Sequence, residues 1–165
     1  MVLRTSKCIL LFAVALFHLL VVFNNLTDYN SNYQFVHHVL MMDSTFPGNS
    51  GMWRAINSSV AHHAFYNSII AWETVAMGLA LWGAVRMARA LRAPAVEFNL
   101  AKGMGIAALT LSLLLWLVAF LTVGAEWFLM WQSRMWNGQE AAGRMFSVVA
   151  LVLIYLAMPD SDGQP

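Results

Sequence analysis

Charge is scarce in this chain. Of its 165 residues only 10% are Asp, Glu, Lys or Arg, against about 25% in an ordinary soluble domain. Nine basic and eight acidic residues leave a formal charge of +1. No basic run or aromatic-basic repeat offers a phosphate-binding face, so nucleic acid is not an expected partner. A single cysteine, Cys8, allows no internal disulfide and says nothing about redox compartment. It opens an apolar run without a lipoprotein cleavage motif and reads as a small packed residue. There is no glycine loop to cradle phosphate and no nucleophile elbow, and the lone cysteine lies far from the histidines, which removes the usual hydrolase arrangements. Internal repeats, low-complexity tracts and a second domain are also missing.

What is present is apolar surface. Hydrophobic residues make up 60% of the chain, against about 45–50% in soluble proteins. A bilayer core of about 30 Å needs roughly 20 apolar residues per helix. Four such stretches stand out, at about residues 8–23, 61–85, 102–124 and 141–158. The first follows Arg4 and Lys7 as a signal peptide would, but it runs on into VVFNNLTDY without a small-x-small cleavage site and is expected to remain as a helix. The expected fold is all-α, a four-helix transmembrane bundle in one domain. Outer loops at 24–60 and 126–140 would form a cap of short interfacial helices, and the lipid bilayer is the first partner.

Orientation follows from the basic residues, since short cytoplasmic loops carry excess Lys and Arg. Arg4, Lys7, Arg86, Arg89, Arg92 and Lys102 fall on one side, and Arg54, Arg134 and Arg144 on the other. Both termini are therefore expected in the cytoplasm of a bacterial inner membrane. Trp53, Tyr66, Trp127, Trp131 and Trp136 would mark the outer boundary, Trp82 and Tyr155 the inner one. NYQFVHHVLMMD, capped by Asn30 or Ser31, reads as a surface helix, and WFLMWQSRMW as an interfacial segment too short to span. The two are expected to pack together as a lid. Pro94 ends the basic helix terminus at Arg86–Arg92, and the tail PDSDGQP is expected to be disordered.

Glu73 lies near the middle of the second span. A carboxylate at that depth is costly and faces a bundle interior, a partner or a cavity. His62 is eleven residues earlier, about three turns, and so on the same helix face. Tyr66 and Ile70 share that stripe, with Asn67 beside it. His62, Tyr66, Asn67 and Glu73 together would make a polar file suited to a quinone head group or to proton movement. A purely structural reading instead hydrogen-bonds Glu73 to Thr110 and Ser112 of the third span. The five histidines, His18, His37, His38, His62 and His63, all fall in the outer half. His18, His37 and His63 are weak metal or haem candidates, with Met41, Met42 and Met52 as soft ligands. Adjacent residues on a helix point about 100° apart, however, so each histidine pair offers one ligand at most. Glu140 and Arg144, at i and i+4, have the spacing of a helical ion pair.

The segment VVFNNLTDYNSNYQFVHHVLMMDSTFPGN, followed by WRAI and by IIAWETVAMGLALWG, resembles a bacterial family of predicted small integral membrane proteins built on a domain of unknown function. The resemblance spans nearly the whole chain. It implies a four-span inner-membrane protein and brings no activity, cofactor or catalytic residue with it. Small size, missing reaction motifs and abundant Trp, Phe and Met favour a non-enzymatic accessory subunit of a larger membrane complex, with Glu73 and the aromatic cap making the contacts. The alternative is an intramembrane ligand- or proton-handling site, for quinone or haem, centred on Glu73.

Overall fold

The structure, a computed structural model, describes residues 1–162. Helix α1 (Val2–Thr27) is followed after Asp28 by α2 (Tyr29–Met41), then by α3 (Ser59–Arg89), α4 (Ala95–Ala101), α5 (Gly103–Leu114), a π-helix (Leu115–Trp127) and α6 (Gln139–Ala157). Short 3-10 turns stand at Met52–Arg54 and Met130–Gln132. Four segments are long and apolar enough to cross a membrane: α1, α3, the continuous run Ala95–Trp127, and α6. The all-α expectation therefore holds, with the first and third spans longer than the apolar pattern suggested.

The helices assemble through stripes that the sequence spaces at three and four residues. On α1 the buried face runs through Lys7, Leu11, Val14, His18, Val22 and Asn25. On α3 it runs through His62, Tyr66, Ile70, Glu73, Ala76 and Ala80 to Met87. That spacing near 3.5 keeps one side of each helix toward its neighbours. Where α3 meets α5 the contact is backbone against backbone: a Cβ on Gly83 would lie 2.6 Å from the Gly105 nitrogen. Small residues bring membrane helices this close because lipid offers no hydrophobic force to press larger side chains together.

The two loop segments opposite the termini pack against each other. Val39, Leu40 and Met42 bury themselves against Ala125, Phe128 and Met130. Ser44 donates to Ser133 at 2.8 Å, and the Phe46 N–H to Gln132 at 3.1 Å. Helix α2 starts two or three residues earlier than the Asn30 or Ser31 cap suggested, with Asp28 at its N-cap position accepting from the Ser31 hydroxyl at 2.6 Å. It stops at Met42, which is left-handed at φ 54° and 2% exposed.

The C-terminal tail departs from expectation. As far as Asp162 it is tied down rather than disordered, and only Gly163, Gln164 and Pro165 lie outside the described residues. Asp160 accepts from Lys7 at 2.7 Å and from Lys102, while Asp162 accepts from Arg4 at 3.0 Å and from the Ala95 N–H at 2.9 Å. Asn99 adds a pair of bonds to the Asp160 backbone. Three buried cations, Arg4, Lys7 and Lys102, need counter-charges, and the tail supplies them. A composition that looked solvated is in fact the complement of a buried basic cluster. Burial alone would push the Asp160 carboxyl up, but the bonds from Lys102 and Lys7 outweigh it and hold the carboxyl below its usual range.

Candidate functional site

Glu73 is 3% exposed and turned into the bundle. Its partner is Asn25 of α1, whose Nδ2 donates to Glu73 Oε2 at 2.8 Å. The Asn25 carbonyl in turn accepts from Asn32 of α2 at 2.6 Å. Thr110 and Ser112 are not partners of Glu73. Thr110 is exposed and bonds back to the Ile106 carbonyl, the usual resort of a helical threonine with no polar neighbour. Ser112 pairs with His18 at 2.8 Å across α1 and α5. The carboxylate thus ends a chain of two amides that descends from the cap.

This chain edges a cavity of about 270 Å³ between α1, α3, the π-helix and α6, at the end of the bundle away from the termini and bordered by α2. Glu73, Asn25, Asn32, Tyr66 and Trp116 are its polar walls, and Phe35 and Phe120 its principal apolar ones. Among the described residues the Tyr66 O–H and the Trp116 indole N–H are buried and donate to no acceptor, although the Asn32 side chain lies close enough to Tyr66 to bond its oxygen. Tyr66 is 2% exposed and Trp116 8%. An unmade hydrogen bond at a buried polar group costs about 1–3 kcal/mol, so two on one cavity wall call for an explanation. The site therefore combines a carboxyl group, a hydroxyl and a donor-only indole N–H on residues that line one cavity.

Trp116 stands near the start of the π-helix, whose wider turn replaces i−4 pairing with i−5 pairing, as in the bond from the Phe128 N–H to the Val123 carbonyl. Trp116, Phe120 and Gly124, four apart, share one side, as they would in an α-helix, and line cavities. Such turns recur at functional sites, and no residue in LWLVAFLTVGAEW announces one.

A second cavity of about 230 Å³ adjoins the first and shares Phe35, Val36, Ile69 and Phe120 with it. Its polar groups are satisfied internally: Trp72 donates to the Leu111 carbonyl at 3.0 Å and Ser68 to that of Phe65 at 2.7 Å.

The other expected residues are distributed differently. His62 is buried on the stripe of Tyr66 and Glu73 but lies above the cavity. Its Nε2 donates to the Ile56 carbonyl at 2.7 Å, which leaves Nδ1 to accept from His37 Nδ1–H at 2.9 Å. Burial, with His62 and His38 close by, pushes the His37 imidazole below its ordinary range, in keeping with that neutral pairing. Asn67 is exposed and accepts from the Tyr29 hydroxyl, which also bonds His63, so Asn67 leaves the polar file. His18, His37 and His63 are held in three separate hydrogen-bonded pairs, and among the described residues no three His, Cys, Asp or Glu side chains form a metal-binding group. Glu140 and Arg144 do not pair. Both are exposed, where an ion pair gains little against the side-chain entropy it fixes, and Glu140 sits in the first turn of α6, where the helix dipole already favours it.

Asn25, Asn32 and Trp116 were not identified from the sequence. Asn25 carried the only available signal, a polar residue one helical repeat beyond His18 on the face that α1 buries. Comparison with curated proteins and with solved structures returned no match. A family-level comparison matches residues 3–159, nearly the full length. With its four spans in place, the chain belongs to the family of predicted small integral membrane proteins known as DUF2165.

Proposed function

We propose that this protein is an intramembrane receptor for a small neutral molecule whose polar head accepts hydrogen bonds, held in the cavity bounded by Glu73, Tyr66 and Trp116. One observation carries the reading: two residues that line this cavity, Tyr66 and Trp116, each hold a buried donor that makes no hydrogen bond within the fold. A ligand carbonyl satisfies both, and Glu73 stands beside it to share or exchange a proton. Of the two ligands considered from the sequence, haem loses support because no histidine lines the cavity; a quinone-type head keeps it. The accessory-subunit reading loses one of its two contacts, because Glu73 is buried within its own chain, and keeps the exposed aromatic residues Trp53, Trp127 and Trp131.

The setting we infer is a bacterial inner membrane with cytoplasmic termini, so that the cavity lies in the outer half of the bilayer. Arg86, Arg89 and Arg92 support this orientation, being exposed and without an ion pair among the described residues. Arg4, Lys7 and Lys102 count on the same side although they are paired, since acidic partners weigh little in setting topology.

The test is equilibrium titration of the purified protein in nanodiscs with a tailless dimethoxy-methyl-benzoquinone. Saturable binding is expected, weakened about tenfold in Trp116→Phe and in Glu73→Gln, which corresponds to roughly one hydrogen bond of 1.4 kcal/mol each. Binding that is absent, or that both variants leave unchanged, overturns the proposal.

A further inference from the structure

The ligand reading leaves the second cavity unused, and its geometry says what fills it. Resting on that reading, we infer that the ligand is an amphiphile, a quinone bearing a prenyl or alkyl tail, with its head against Glu73 and its tail in the adjoining groove. Three observations lead there.

The two cavities adjoin, with Phe35, Val36, Ile69 and Phe120 forming the wall they share. Both are largely apolar, and they differ in the few polar groups each contains. The head cavity holds the unpaired hydroxyl and indole N–H together with the carboxyl group. The groove holds aliphatic and aromatic carbon, and its tryptophan and serine are already bonded to backbone carbonyls. A polar ligand gains nothing in the groove, and an apolar chain leaves no polar group stranded there.

The groove also opens in the right direction. Phe65 of α3 and Val118 of the π-helix border it and are 41% and 40% exposed on the outer faces of two spans. Its mouth therefore meets lipid between α3 and the π-helix, and a molecule dissolved in the bilayer passes head first beside Ile69 and Phe120. Residues lining the groove alone, such as Ala119 and Val123, contact the tail without touching the head.

Lipid is as apolar as the groove, so comparing tailed with tailless ligand on the wild-type protein reports mostly partitioning. The informative experiment compares each ligand between wild type and a groove-filling variant. In nanodiscs, Ala119→Phe is expected to weaken binding of the decyl-tailed benzoquinone at least tenfold while leaving the tailless benzoquinone within twofold. Val123→Phe provides the same test should Ala119→Phe fail to fold. If both ligands bind both proteins equally, the tail stays in lipid and the inference falls while the head site stands. If the tailless ligand binds neither protein, the head site falls and the inference with it. If filling the groove weakens both ligands alike, the two cavities are not separate subsites and the inference is overturned.

Discussion

The two ends of this bundle treat polar groups in opposite ways. Near the termini, three buried cations meet two carboxylates and several carbonyls, and Gly83 and Gly105 pack backbone to backbone. At the opposite end, helices separate around two cavities, and the donors of Tyr66 and Trp116 on the cavity walls, like the Arg54 Nε–H outside them, have no acceptor. The first end spends its polar residues on closure. The second withholds hydrogen bonds that a well-placed side chain could have made, which costs stability unless something from outside the chain makes them.

The comparison breaks most readily at the closed end. Asp160→Asn leaves Lys7 and Lys102 buried without their counter-charge, and loss of one partner in such a pair costs about 3–5 kcal/mol. A thermal or denaturant midpoint in detergent measures it, with a large drop expected. Acid should act in the same direction. Because the folded Asp160 carboxyl sits below its usual range, its contribution is complete above the unfolded value of about 3.9 and disappears as pH falls through the lower folded value. A stability profile that stays flat between about pH 5 and 2 in the wild type would contradict this account.

A smaller effect comes from Gly83→Ala. The added Cβ meets Gly105 backbone, which cannot rotate away as a side chain would, and overpacking of this kind costs about 1–3 kcal/mol. The midpoint should fall, and Gly78→Ala, whose Cβ meets nothing within 4 Å, is the control that should not. Smallest of all is Tyr66→Phe at the open end. Removing a hydroxyl that has no partner should leave the empty protein as stable as before, or up to about 1 kcal/mol more so. A marked loss of stability would mean that the hydroxyl is already satisfied within the fold, and the contrast between the ends would vanish.

Much of this architecture was legible without coordinates. Hydropathy and length gave the four spans, and the period of α3 set His62, Tyr66 and Glu73 on one buried face. The same reasoning failed wherever a residue's role depends on a distant segment. Thr110 and Ser112 were reasonable partners for Glu73 by type, but depth and rotation around α5 point them elsewhere. Asn67 neighbours Tyr66 in sequence, and a 100° step moves it to the exposed side. The acidic tail looked solvated because nothing in its own composition reveals that Arg4, Lys7 and Lys102 lie buried beside it.

The sequence by itself determined the class of the protein, the number of its spans and the helix face that carries the intramembrane acid, because these follow from hydrophobic pattern and helical period, which are local. Only the tertiary structure decided that Asn25 meets Glu73, that Trp116 and Tyr66 line one cavity, and that this cavity, with its few polar groups, adjoins an apolar groove. Those arrangements depend on which faces of separate helices come together and at what depth, and no single segment encodes that.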